Sequence, residues 1–262
     1  MRPTGPTRRA AASSLSAFLQ WVNPQLRQGA GPPLPLPFRG PYGLGLRAPP
    51  PPGNHQGRGS DQPPCYKAGE TLLTIPVALW GPVSADFALE QATTYAPHIH
   101  DALGSAGRGL VTPMALALHL GLALLDETDP IHPYVRFLYQ SSQEDDPGAS
   151  SPHPLLLGGD ALRGLFLASP VVPALEKRQR VYASIHQQLF PQPGPPPALP
   201  FSVFLWAVSR ILSRAISGPG RPLTLVPYFD LLNHSADFNC EYEVSFGPER
   251  CDVVVRATRD VR

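Results

Sequence analysis

Acidic residues are missing from the first 60 positions of this chain, where Asp61 is the first to occur. Over the same span seven arginines (Arg2, Arg8, Arg9, Arg27, Arg39, Arg47 and Arg58) give a local charge of +7, which leaves −6 on the rest of a chain whose formal total is +1. A nucleic-acid-binding domain carries its basic surface on the folded part, so a basic tail on an acidic body argues against that class. Cysteine is scarce too: Cys65, Cys240 and Cys251 are the only three, and no Cys-x-x-Cys occurs. That excludes a disulfide framework and fits a reducing compartment, cytoplasmic or nuclear. His234, Cys240 and Cys251 follow no standard zinc spacing, so no metal is expected. No apolar run approaches the ~20 residues of a membrane span. The longest, Met114 to Leu125, is interrupted by His119 and reads as a buried helix.

Proline and glycine are abundant. With 35 and 23 copies among 262 residues they exceed a fifth of the chain, just under the share that marks a wholly disordered one. The prolines cluster, so the reading is a folded domain with proline-rich inserts. Residues 1–15 read as a disordered basic tail. Met1 to Ser16, rich in Arg, Ala and Ser, also has the composition of a transit peptide, which keeps plastid or mitochondrial import open. A short serine-capped helix is expected around Leu15 to Val22. Pro49 to Pro64, with four consecutive prolines, can form neither strand nor helix and reads as an exposed loop. Tyr66 to Glu70 is a turn signal and Thr71 to Pro76 a strand.

From Ser84 onwards the periodicity changes. Leu116, Leu120, Ala123 and Leu124 recur at helical spacing, with Thr112 and Pro113 expected at the helix start. Leu155 to Leu167, Val171 to Leu189 and Phe201 to Ile216 are expected helices, the last lining one face with Phe204, Val208, Ile211, Leu212 and Ala215. Gly218-Pro219-Gly220 is expected to end it. Strand character returns afterwards, notably over Cys251 to Ala257. Strands, a helical block over about 82–217 and strands again suggest an α+β fold: one sheet interrupted by a helical insertion, with residues 16–262 as one domain.

Several segments share one order with one family. Tyr42-Gly43-Leu44-Gly45-Leu46-Arg47-Ala48 precedes Lys67-Ala68-Gly69-Glu70-Thr71-Leu72-Leu73-Thr74-Ile75-Pro76 and Leu79-Trp80. His132-Pro133-Tyr134-Val135-Arg136-Phe137-Leu138 follows, then a helix ending Ser213-Arg214-Ala215, then Val226-Pro227-Tyr228-Phe229-Asp230-Leu231-Leu232-Asn233-His234-Ser235. The ensemble resembles the SET-domain protein methyltransferases, in particular the Rubisco-lysine-methyltransferase-like branch. The resemblance spans about Phe18 to Arg262.

The resemblance implies a SET-type β fold of short strands, S-adenosylmethionine as cofactor, and a protein substrate methylated on lysine or, second, histidine, with neither nucleic acid nor membrane as partner. It places Gly43, Leu44 and Gly45 beside the cofactor, where missing side chains permit close approach. Arg214 would clasp the cofactor carboxylate through a two-pronged contact, and Asn233 and His234 would bind it largely through backbone. Asp230 would lie near the cofactor or the chain crossing. Blander readings stand beside these: Arg214 as a helix C-terminal cation, Asp230 as a turn cap. The family's catalytic tyrosine would follow Ala257 to Arg262, so no residue of this chain is assigned to it. The resemblance therefore implies a fragment with little or no turnover of its own; the alternative is a non-catalytic module that binds cofactor or protein.

Overall fold

The computed structural model describes residues 7–26, 36–40, 43–47, 66–95, 101, 108–142, 153–167, 169–190, 198–218, 221–232, 237–247 and 250–261. The expected proline-rich loop 49–64, the acidic loop Glu144 to Asp146, and Asn233 and His234 lie outside them. The chain divides into two units, one made of residues 1–15, 81–144 and 150–225, the other of 16–80, 145–149 and 226–262.

The second unit holds the residues 16–22 of helix α1 (Thr7–Val22) and two small antiparallel sheets. In one sheet β3 (Thr71–Pro76) and β6 (Cys240–Gly247) flank β7 (Arg250–Ala257), with Ile75 opposite Val253 and Val244 opposite the same residue on the other side. Central strand β7 buries Val253, Val254 and Val255 in succession, the signature of a strand covered on both faces. Helix α2 (Val77–Trp80) lies against β3 and β7 and buries Leu79 and Trp80. Among the described residues strand β6 pairs with β7 alone, and Glu241 and Glu243 stand exposed along it, charges that discourage edge-to-edge association. Arg256 bridges the sheet, donating to Glu243 on one side and Thr71 on the other at 3.0 and 2.9 Å. The second sheet is a ribbon, β1 (Leu36–Gly40) on β2 (Gly43–Arg47), with Phe38 opposite Gly45.

The first unit is helical. Its centre is α4 (Arg108–Leu125), buried without a break from Met114 to Ala123, as befits a helix surrounded on all sides. Around it lie α3 (Ala85–Tyr95), α5 (His132–Ser142) and α8 (Phe201–Arg214), and α8 in turn meets the 3-10 turn Pro154–Leu156 and α7 (Val171–Leu189). Ser84 caps α3, its Oγ accepting from the Phe87 N–H at 3.3 Å. A short hairpin of β4 (Ile216–Gly218) and β5 (Arg221–Thr224) is tied to the start of this helix, because Thr224 Oγ1 and the Leu225 N–H both donate to the Val83 carbonyl.

Five expectations need correction. The strands form three small sheets among the described residues rather than one. Helix α1 starts at Thr7, inside the stretch read as a disordered tail; Thr7 to Val22 contains neither proline nor glycine and is alanine-rich, which favours helix throughout. Helix α4 starts at Arg108, so Pro113 sits in its second turn instead of at its first residue, where Thr112 would have capped it. Leu155 to Leu167 is broken by Gly158, leaving the 3-10 turn and a short α6 (Gly159–Leu165). Helix α8 stops at Arg214, before Ala215 turns extended; Leu212 is then exposed and Ile216 belongs to β4, while Gly218 pairs with Arg221 in the hairpin instead of ending the helix. Strand β1 is an addition to those expectations: Pro37 is tolerated in a ribbon that has two strands among the described residues.

Candidate cofactor site

In the second unit the glycine-bearing strand β2 lies against the 3-10 turn Phe229–Leu231, which carries Asp230. Successive residues of a strand face opposite ways, so 43 and 45 share a face, and both are glycine. Arg47 is the next residue on that face, so its side-chain-free part is limited to Gly43 and Gly45, where no Cβ bars close approach to the backbone. Asp230 is buried on the opposing turn. The turn closes on itself: Asp230 N–H donates to the Val226 carbonyl at 3.1 Å, Leu231 to Tyr228 at 3.3 Å and Leu232 to Phe229 at 2.9 Å.

Tyr228 governs the entry to this turn. Its backbone has φ 74° and ψ −40°, and it is the one non-glycine residue with positive φ among those described. Such a conformation costs a bulky residue about 1–3 kcal/mol. The ring is buried and stacks on Phe18 of α1, centroids 6.4 Å apart and planes at 27°. Burial, reinforced by the neighbouring Tyr66 phenol, pushes the Tyr228 hydroxyl up to about 12, so it remains protonated. On the outer side of the turn Phe229 meets Tyr242 of β6 edge-on at 4.8 Å.

Tyr66, the first residue of the expected turn, is buried and exchanges backbone hydrogen bonds with Val261 at 3.3 and 2.9 Å. The turn itself sits at Ala68 and Gly69, where φ is +84° and glycine is required. Below it Arg259 grips Asp237 through both carboxylate oxygens at 2.8 Å, which holds that carboxyl below its usual range. Arg214 belongs to the first unit. It is the last residue of α8 and half-buried, and the chain beyond it is capped by the Ala215 N–H on the Ile211 carbonyl.

Of the predicted site residues, then, the second unit brings together Gly43, Leu44, Gly45 and Asp230; Arg214 ends a helix of the other unit; Asn233 and His234 lie outside the described residues. Sequence reading missed Tyr228, Phe18 and Tyr66. Nothing in the residue types announces a tyrosine at positive φ. Among the described residues no three His, Cys, Asp or Glu side chains gather to hold a metal. Cys240 is half-buried, and burial pushes its thiol up, away from reactivity. No helix of the described residues is long and apolar enough to cross a membrane.

No family model matches the sequence, and neither does any curated protein. The fold does find relatives. One is the SET domain of LSMT, solved bound to lysine and AdoHcy, which superposes with a TM-score of 0.57 over 96% of this chain. The fold is SET-like. Sequence identity over that superposition is 16%, and this chain spans about half of the neighbour's length, 52%.

Proposed function

We propose that this chain is the SET-type part of an S-adenosylmethionine-dependent protein methyltransferase whose acceptor is a lysine. The observation that carries this reading is the placement of the strand Gly43–Arg47, with glycine at 43 and 45, against the turn that holds the buried Asp230. Motif order supports it, as does likeness to a fold solved with lysine and AdoHcy.

Taken singly, the candidate residues carry chemistry suited to the cofactor. S-adenosylmethionine, when bound, supplies a methyl group on a sulfonium, alongside a carboxylate, an ammonium and an adenine. Gly43 and Gly45 admit it to the backbone of β2. Arg214 supplies a planar fork matched to a carboxylate. Asp230, with Asn233 and His234 after it, offers the polar groups for the remainder. The chain's other task is to receive the lysine as a neutral amine. Burial of the amine in an apolar channel favours loss of its proton, and alignment with the methyl then provides most of the acceleration.

The test is calorimetric titration of the purified protein with S-adenosylhomocysteine, followed by transfer of labelled methyl to lysine-containing protein acceptors. Saturable binding is expected. A folded protein that binds neither S-adenosylhomocysteine nor S-adenosylmethionine refutes the reading. Binding without transfer is expected of a SET-type part alone and of a cofactor-binding module alike.

A further inference from the structure

Tyr228 adopts a conformation that a bulky residue avoids, and a fold keeps such a residue only where its surroundings over-determine it. They do so here. Pro227 fixes its own φ and drives Val226 towards extended backbone. The Tyr228 ring is held by Phe18, which is itself fully buried. The next residue, Phe229, turns its ring to Tyr242 at 4.8 Å. Two consecutive aromatic rings are thus anchored on two different elements, α1 and β6, and the backbone hydrogen bonds of residues 226–232 close the turn behind them. That turn is what faces β2.

We propose that Tyr228 is a positioning residue for the cofactor site: its left-handed backbone, locked through Phe18 by helix α1, sets the orientation of the Phe229–Leu231 turn against the glycine strand and thereby the affinity for S-adenosylmethionine. The inference rests on the reading of this site as a cofactor site. It adds Phe18, a residue outside the motif segments that touches Tyr228. A tyrosine retained for core filling would be satisfied by any backbone; the strained geometry is explained by what it aims.

Three variants test this in the full chain: Tyr228→Gly, which relaxes the backbone and removes the ring; Tyr228→Phe, which keeps the ring; and Phe18→Leu, which keeps an apolar residue but removes the stacking. Affinity for S-adenosylhomocysteine is measured by calorimetry at a temperature where unliganded unfolding curves show each protein folded. A misplaced site element loses up to ~100-fold in function. Tyr228→Gly is therefore expected to bind about tenfold or more weakly, Phe18→Leu to fall in the same direction, and Tyr228→Phe to rescue. A folded Tyr228→Gly that binds like the wild type overturns the inference. If that variant does not fold, the decision passes to Phe18→Leu, whose unchanged affinity would overturn it equally. Lack of binding by the wild type refutes the cofactor reading itself, and this inference falls with it.

Discussion

Arg214 separates two accounts of the same cation. It ends α8 and is half-buried. As a partner of the helix dipole it contributes about 0.3–1 kcal/mol to stability, and a lysine would serve as well. As a fork on the cofactor carboxylate it makes charge-assisted hydrogen bonds worth about 1.5–3 kcal/mol. At about 1.4 kcal/mol for each factor of ten, that is roughly 10- to 150-fold in affinity. Arg214→Gln, which keeps bulk and removes charge, is therefore expected to raise the Kd for S-adenosylhomocysteine by that factor while barely moving the unliganded unfolding midpoint. Arg214→Lys restores the point charge but not the planar pair of donors, so its Kd should fall between the two. Calorimetric titration of all three proteins checks this. An unchanged Kd for Arg214→Gln refutes the clasp and leaves the dipole account; a lysine variant equal to wild type refutes the two-pronged geometry.

Other consequences follow from the packing. Trp206 is buried in α8, donates from Nε1 to Ser142 Oγ at 3.0 Å and meets Tyr139 edge-on at 5.1 Å; Trp206→Ala should cost about 3–5 kcal/mol, a fall of roughly 6–20 °C in the midpoint of thermal unfolding. His119 is buried beside Phe87 with Nε2 donating to the Pro82 carbonyl at 3.0 Å, and burial holds its pKa below 6.5 against the opposing pull of Asp129. The folded state therefore binds fewer protons than the unfolded one, so the stability it contributes is complete above pH 6.5 and is lost as pH falls below that value. Denaturant unfolding of His119→Gln should show a shallower loss of stability on acidification than the wild type; an identical slope refutes this role. The Arg259–Asp237 pair is solvent-exposed, so Arg259→Gln should destabilise slightly at low salt and not at all near 1 M salt, where the screening length is about 3 Å. A salt-independent loss would mean that the pair acts through more than charge.

How far the sequence carries the reader depends on which physical term decides each element. Val171–Leu189, Thr71–Pro76 and the body of β7 are found from the sequence within a residue, because hydrophobic period and bounding prolines dominate there. Boundaries fail where tertiary context outweighs local signals. Pro113 looks like a helix start, yet a helix can carry it in its second turn when the rest of α4 is buried on every side. Leu212 fits the apolar face of α8 by spacing and is exposed all the same. Strand β1 is hidden by Pro37 and by its neighbours, since pairing with a single partner leaves no local trace.

The site divides in the same way. Gly43, Gly45 and Asp230, which the resemblance singled out, fall on neighbouring elements of one unit, whereas Arg214 ends a helix of the other and Asn233 and His234 lie outside the described residues. What is not legible is the support beneath them. Phe18 and Tyr228 are separated by more than two hundred positions, and their contact exists only once the chain has folded. The N-terminal segment is an example: composition keeps a leader open over Met1 to Ser16, and just after it Phe18, Val22 and Leu26 are buried in the unit that holds the Asp230 turn. Removing residues through Leu26 would withdraw the ring that pins Tyr228. If the positioning argument holds, such a shortened chain loses cofactor affinity even though no residue facing the cofactor has been touched, and retained affinity in a folded protein lacking 1–26 would show that the turn keeps its geometry without α1.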